Sequence, residues 1–318
     1  MKVLVLATSY PRSRDDVAGR FVGDQVEHLR DAGVDVAVVA PGDFRHYGIA
    51  YGHGIVQNLR AKPWLVPLLP AFVAGYARAA RRAARDVDLV HAHWIPSGAA
   101  ALATGKPYVL QVWGTDVELA RRVPAMARPV VRGASVVVAA STFLADEARK
   151  LGASEVRVIP NGVEIPDEVG PPEEPPHVLF LGRLSEEKGI LDFVEATEGL
   201  PRVIVGDGPL RDRVPETAGF VAPGDVGAYY ERAAVVCVPS RREGYGMTAR
   251  EAMAHRRALV ATDVGGLADA AKDGVTALVV PPADPAAIRT AVERLFADAQ
   301  LRTELAGRAH AAAVEEFS

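Results

Sequence analysis

The sequence predicts an α/β protein made of two doubly wound parallel-sheet domains facing each other across a cleft. Three observations carry that prediction. Short apolar runs alternate with Ala-rich helical segments, the alternation breaks once in a stretch of prolines, glycines and acids, and beyond the break it restarts. A length of 318 residues fits two domains of ordinary size. With 49% hydrophobic and 24% charged residues, each half can bury a core as soluble globular proteins do.

In the first half the apolar runs are Val3–Ala7, Val34–Ala40, Val87–His91, Tyr108–Val112, Ser135–Ala139 and Arg157–Ile159, with Phe21–Asp31 the first helical segment. The break is Asn161 to Pro176, which places a domain at 1–165, a linker at 166–176 and a second domain at 177–318. In the second half strands are expected at His177–Leu181, Arg202–Val205, Ala233–Val238, Ala258–Ala261 and Ala277–Val280. Helices are expected from about Glu186 to Glu198, around Val226–Arg232, and over Pro285–Ala297 and Leu301–Glu316. No sequence repeat relates the two halves.

A net charge of −4 excludes a general attraction to nucleic acid or acidic membranes, so any phosphate binding must be local. The single cysteine, Cys237, lies inside an apolar run and reads as a small buried hydrophobe. Met1-Lys2 leads directly into a strand without a signal peptide's apolar region, which points to the cytoplasm. The most membrane-like stretch, Trp64–Ala80, is interrupted by Pro67, Pro70, Gly75 and Arg78 and is too broken to span a bilayer. With Arg81, Arg82 and Arg85 behind it, it leaves open a peripheral contact at the inner membrane face, beside the reading as an ordinary domain helix.

Ligands of such sheets sit at the carboxyl ends of the strands, so the residues there carry the chemistry. In the first half these are the charged loop Ser9–Gly19, the run His91-Ala-His93-Trp94-Ile-Pro96, and Trp113-Gly-Thr-Asp116. The histidines also fit a role as hydrogen-bonded filler, and a His-x-His pair without a third ligand is weak evidence for metal. Residues 42–62, with Tyr47, Tyr51 and His53, form a polar excursion that could line an acceptor pocket.

The second half brings four strand-to-helix junctions to one sheet edge: residues 182–189, 206–209, 239–254 and 263–266. Residues 239–254 deliver Glu243 and Glu251 around a turn in which Gly244 and Gly246 let a ligand lie against backbone, with helix N–H groups pointing at it. Thr248-x-x-Glu251 is also a capping-box pattern. Arg183 offers a guanidinium fork and Lys188 a mobile point charge for phosphate, unless Glu186 and Glu187 pair with them in a solvated cluster. Acceptor-only carboxylates a few ångströms away suit paired hydroxyls. Diphosphate and hydroxyl-bearing rings together describe a nucleotide sugar.

The run Gly182-Arg-Leu-x-x-Glu-Lys-Gly189, then Val205-Gly-Asp-Gly-Pro209, Pro239-Ser-x-x-Glu243-Gly-x-Gly-x-x-x-x-Glu251-Ala-Met-Ala, Val264-Gly-Gly-Leu267 and Asp273-Gly-x-x-x-Leu-x-Val-Pro281 resembles family 4 of the retaining glycosyltransferases. Tyr10-Pro11, Gly19-x-Phe21-Val22, His91-Ala-His93, Gly114-Thr-Asp116 and Ile159-Pro-Asn-Gly-Val163 extend the resemblance over nearly the whole chain. It implies a GT-B fold of two Rossmann-like domains. The implied activity is hexosyl transfer from a nucleotide diphosphate sugar to a glycan, lipid-linked or small-molecule acceptor, with retention, without a metal or other cofactor and without nucleic acid. Arg183 and Lys188 would stabilise the diphosphate leaving group, and Glu243 would contact the donor sugar with backbone N–H groups of Gly244, Tyr245, Gly246 and Met247. Glu251 would take the ribose, with Gly208 and Thr248 also lining the donor site. Gly19 would let the first-domain loop approach the phosphates, and His93 and Asp116 would lie near the acceptor.

The chain departs from the family pattern in four places. Ala18-Gly19 stands where Gly-Gly is usual, and Trp113 where histidine often precedes the glycine. Residues between Gly208 and Phe220 are too few for the usual helix and strand, and the chain stops at Ser318 where a last return helix is expected to begin. A sugar-nucleotide epimerase and a non-catalytic nucleotide-sugar-binding protein are the alternatives. A dinucleotide oxidoreductase is disfavoured because Gly206-x-Gly208 is followed by Arg211 in the third glycine position.

Overall fold

Buried β-branched runs need cover on both faces, and in this chain helices supply it on either side of two parallel sheets. The computed structural model describes residues 1–13, 16, 18–51 and 54–318. It divides into one unit of Met1–Ala140 with Leu144–Ile159 and another of Ser141–Phe143 with Pro160–Ser318.

The first unit runs β1 (Lys2–Leu6), α1 (Arg20–Asp31), β2 (Asp35–Val39), α2 (Ile55–Ala61), α3 (Leu69–Ala83), β3 (Leu89–His93), α4 (Ile95–Leu102), β4 (Tyr108–Val112), α5 (Gly114–Arg122), α6 (Pro124–Gly133), β5 (Val136–Ala139), α7 (Thr142–Leu151) and β6 (Val156–Val158). Its sheet has the order β2-β1-β3-β4-β5-β6, all parallel. The order reverses between β1 and β3.

The second unit runs β7 (Val178–Leu181), α8 (Ile190–Ala196), β8 (Arg202–Val205), α9 (Val226–Arg232), β9 (Val235–Val238), α10 (Met247–Ala254), β10 (Ala258–Thr262), α11 (Leu267–Ala270), β11 (Leu278–Val280), α12 (Pro285–Ala297) and α13 (Ala299–Phe317). The sheet order β11-β10-β9-β7-β8 reverses between β7 and β9. Alternate strand residues feed two cores. Leu179, Val236 and Leu259 pack with α10 and α13, whereas Val178, Val235 and Val260 pack with α8 and α12. Cys237 lies in the second of these cores, its thiol pushed up by burial, as expected of a small hydrophobe.

Several expected bounds shift. The third strand is Leu89–His93 and not Val87–His91, because pairing begins at Val3 with Leu89, so His93 as well as His91 lies within the strand. The helix expected from Glu186 to Glu198 is a 3-10 turn at Glu186–Lys188 followed by α8, separated by Gly189 at φ 67. The strand expected from Ala233 starts at Val235, since α9 runs to Arg232. Between Gly208 and Phe220 the only regular element among the described residues is a 3-10 turn, Arg211–Arg213. Ala218 and Gly219 instead hydrogen-bond the outer edge of β8, through Ala218 N–H to Ile204 O (2.8 Å) and Gly206 N–H to Gly219 O (2.8 Å), which shields the edge strand.

Gly206 shows how tightly the strand ends are stacked: at φ 141, a Cβ there would overlap the carbonyl of Gly182. Gly206→Ala is therefore expected to cost more than about 2 kcal/mol in urea unfolding. Gly199→Ala, at φ 75 but facing open space, should cost only about 1 kcal/mol from backbone strain.

Candidate active site

At the reversal point of the second sheet β7 and β9 pair over only two residues, Val178 with Val235 and Leu179 with Val236. Beyond them the strands diverge. Phe180, Leu181, Cys237 and Val238 line a cavity of about 10 Å³, with room for roughly one water, and Lys188, Ser240, Glu243 and Thr248 complete its rim. A crevice at this position is where open parallel sheets hold ligands.

The rim is built by interlocking the loops after β7 and β9. A Cβ on Gly189 would overlap the carbonyl of Pro239, so only glycine permits this approach. The Glu187 carbonyl accepts from Arg241 N–H (2.8 Å) and Arg242 N–H (3.2 Å), and the Arg241 fork bonds both oxygens of Asp192 at 2.8 and 2.7 Å. The result fixes Lys188 opposite Glu243. Lys188 Nζ donates to Glu243 Oε2 at 2.6 Å, and Ser240 Oγ donates to the same oxygen at 3.1 Å. Glu243 is 12% exposed and Lys188 31%, so the pair is partly shielded from the screening that weakens surface ion pairs. Lys188 thus pairs with Glu243 and not with Glu186 or Glu187. Arg183 is exposed, and its side chain makes no hydrogen bond or ion pair among the described residues.

The remaining residues of residues 239–254 divide by direction. Gly246 caps α10 in the left-handed conformation (φ 85), and α10 has no side-chain cap, so its first N–H groups stay open. Thr248 is the second helical residue, which overturns the capping-box reading: its hydroxyl donates to Leu181 O at 3.2 Å, and Glu251 accepts from Tyr230 OH at 2.6 Å. Burial raises the Glu251 carboxyl above its ordinary range, and the Tyr230 hydroxyl pulls it back. Tyr245 points inward, donating to Asn161 O at 2.5 Å, so it offers only backbone outward; Met247 is partly exposed. The Gly244 carbonyl packs on Gly266, and Gly208 packs on the Leu184 backbone.

Sequence reasoning missed Tyr230, Ser240 and Arg250. Arg250 is 1% exposed, lies 3.7 Å over the Tyr245 ring, and donates to the carbonyls of Tyr245 and Gly266. Set among strong helix formers, it reads in sequence as a solvated charge. Tyr230 carries no signal beyond an aromatic at the end of a short helix.

In the first unit, α1 brings Phe21 against Trp94 (5.6 Å) and Trp113 (4.4 Å) beside the β1–β3 reversal. Trp94 is held at φ 68, and a Cβ on Gly19 would overlap the Ser9 carbonyl, so the loop closes back on itself there. His93 is 1% exposed, its ring 4.5 Å from His91, and burial holds its pKa well below the usual value. Its Nδ1 and the Trp113 indole Nε1 lack a partner among the described residues. Asp116 accepts from Ile95 N–H (3.0 Å) and Trp113 N–H (2.8 Å), tying the starts of α4 and α5 together. Tyr51 donates to Asp16 and lies under Arg12 (3.6 Å), whereas Tyr47 lies by Arg45. His53, and residues 14, 15 and 17 of the charged loop, fall outside the described residues. No group of three or more His, Cys, Asp or Glu suited to a metal occurs among the described residues.

Burial pushes the Asp116 carboxyl up to about 7, against the pull of its backbone N–H bonds. A carboxyl with a raised folded pKa contributes stability that is full below its unfolded value and lost as pH rises through about 7. Unfolding free energy measured from pH 4 to 7 should therefore carry a downward slope of up to about 1.4 kcal/mol per pH unit from this group. Asp116→Asn should flatten it.

Residues 18–165 match the Glycosyltransferase Family 4 model, and residues 175–298 match the Glycosyl transferases group 1 model. TuaC of Bacillus subtilis, described as a teichuronic acid biosynthesis glycosyltransferase, is 31% identical over 84% of this chain and 82% of its own. A D-inositol 3-phosphate glycosyltransferase of Acidothermus cellulolyticus is 31% identical over 90% and 79%. Among solved structures, a sucrose-phosphate synthase from Thermosynechococcus elongatus superimposes with TM-score 0.82 at 21% identity, covering 100% of this chain and 95% of that one. Anabaena HepE, in complex with UDP, superimposes with TM-score 0.76 at 20% identity, covering 100% and 96%. The fold is that of the GT-B glycosyltransferases, and the chain belongs to the family 4, group 1 glycosyltransferases.

Proposed function

We propose that the protein moves a hexose-type sugar from a nucleoside diphosphate sugar to a hydroxyl of a glycan, lipid-linked or small-molecule acceptor, with retention of configuration and without a metal. The observation that carries this reading is the Lys188–Glu243 pair, 2.6 Å apart at the reversal point of the second sheet. A cation and a carboxylate side by side match the two halves of such a donor. The cation suits the diphosphate and the acceptor-only carboxylate suits sugar hydroxyls.

In the transfer the bond between the anomeric carbon and the diphosphate oxygen breaks, and a bond to the acceptor oxygen forms as the acceptor hydroxyl's proton passes to the departing diphosphate oxygen. Negative charge gathers on the leaving diphosphate. Lys188 is held where it can meet that charge, the exposed guanidinium of Arg183 has no competing partner among the described residues, and the uncapped start of α10 adds partial positive charge. Glu243, freed from Lys188 as the diphosphate takes over, contacts the donor sugar together with the backbone N–H groups of the turn. Glu251, oriented by Tyr230, takes the ribose, and Gly208 keeps its loop flat beneath the nucleotide. In the first unit His93 and Asp116 serve the acceptor. The UDP, glucose and UDP-glucose complexes of HepE make a UDP-sugar the first donor to test.

Lys188→Ala, Arg183→Ala and Glu243→Ala are each expected to lower kcat by about 10²–10³-fold while circular dichroism stays native. Near-native turnover in all three would overturn the reading. So would a donor epimerised, or left unconsumed, across a panel of acceptors.

A second test concerns Glu251. Its carboxyl must be ionised to accept from two hydroxyls, so nucleotide affinity should hold above its raised pKa and fall as pH drops through it. Tyr230→Phe removes the group that lowers this pKa, so the loss should begin at higher pH. Calorimetric titration of nucleoside diphosphate across pH reads the midpoint directly, and an unmoved midpoint would remove Glu251 from the ribose site.

A further inference from the structure

The 3-10 turn Pro63–Leu68 and α3 carry a surface that the transfer chemistry does not use. Leu65, Phe72, Tyr76 and Ala80 face the core, and their packing fixes how the helix is turned. Phe44 stacks on Tyr76 at 4.4 Å, and Tyr76 OH donates to Ser97 at 3.0 Å. What remains outward is apolar at one end and cationic at the other. Trp64 is 67% exposed and Val73 52%, with Val66 also exposed, and Arg78, Arg81, Arg82 and Arg85 follow around a shallow depression floored by Ala74 and Ala77. Arg81 Nε donates to Ala103 O at 2.6 Å, beside the exposed Leu102 of α4. Arg78, Arg82 and Arg85 have no ion pair among the described residues.

We propose that this surface docks the protein reversibly on an anionic lipid bilayer. An indole and valines at the headgroup boundary with arginines alongside are the two parts of interfacial binding, one apolar and one electrostatic. Indole is the side chain most at home in that boundary, and long arginine stems lie along apolar surface while their heads stay at the phosphates. The prolines at 63, 67 and 70 make the apolar end a short wedge, and no helix among the described residues is long and apolar enough to cross a membrane. Attachment is therefore to the surface. Nucleic acid would engage the arginines but leave Trp64, Val66 and Val73 without a role. The proposal stands independently of the transfer chemistry.

The full chain is sedimented with vesicles of phosphatidylcholine alone and with vesicles of equal phosphatidylcholine and phosphatidylglycerol. Binding to the mixed vesicles should be at least about ten-fold stronger and should be released by added salt. The triple variant Arg78→Glu, Arg82→Glu, Arg85→Glu should lose it, and Trp64→Ala should weaken it several-fold with charge unchanged, both with unaltered melting temperature. Three results would overturn the proposal: equal binding to the two vesicle types, full retention in both variants, or tighter binding of duplex DNA through the same arginines.

Discussion

The second unit depends on one constraint: loops at the carboxyl ends of β7, β9 and β10 lie backbone against backbone. Gly189 touches the Pro239 carbonyl, Gly265 the Glu243 carbonyl and Gly266 the Gly244 carbonyl, at separations that leave no volume for a Cβ. Such contacts hold peptide groups in place more firmly than side-chain packing can, since no rotamer is available to absorb a shift. Glu243 sits in a loop held from both sides. Its own N-terminal neighbours are tied by Thr262 Oγ1 to Ser240 O (2.5 Å), and its carbonyl accepts from Gly266 N–H at 3.1 Å. The Lys188–Glu243 pair is therefore a consequence of backbone geometry, and both partners arrive preorganised.

Charge in this region falls into two kinds. Arg241 with Asp192 is a two-point bond that ties the loop after β9 to α8, and its geometry leaves little for a ligand to take. Lys188 with Glu243 is a single contact at the edge of a cavity, and Arg183 is uncommitted. A diphosphate entering here would exchange one partner of Lys188 for a more highly charged one, at the expense of a carboxylate that then turns to the sugar. On the proposed reading the cation is in position before a ligand comes, which would reduce the reorganisation left for the reaction step.

Much of the architecture is legible in the sequence because short apolar runs and helical spacing report burial directly. Tyr108–Val112, Arg202–Val205, Val226–Arg232 and Pro285–Ala297 carry the same bounds in sequence and structure. Where bounds moved, a tertiary contact decided. Val87 is as apolar as a strand residue, but β1 offers its first pairing partner only at Leu89. The sequence names candidate site residues but not their contacts. Gly19 and Gly208, read as lining for a ligand, also make room for the backbone of Ser9 and Leu184, and Glu251, for which a capping box with Thr248 is the alternative reading, finds Tyr230 on another helix. Local patterns cannot show either, because both depend on which strands become neighbours.

Arg250 shows what that limit conceals. Arginine cannot shed its proton inside a protein, so a guanidinium at 1% exposure remains a buried charge whose cost must be met by oriented dipoles. Here the dipoles are carbonyls of the two glycine-rich turns, at Tyr245 and Gly266, and the Tyr245 and Phe317 rings lie against the guanidinium, while Nε has no hydrogen-bond partner among the described residues. A trans peptide points its N–H opposite to its C=O. Drawing the Tyr245 carbonyl in toward Arg250 therefore sends the Gly246 N–H away from it, next to the open N–H groups that begin α10. A cation hidden beneath the turn thus sets the direction of the Gly246 N–H on its far side.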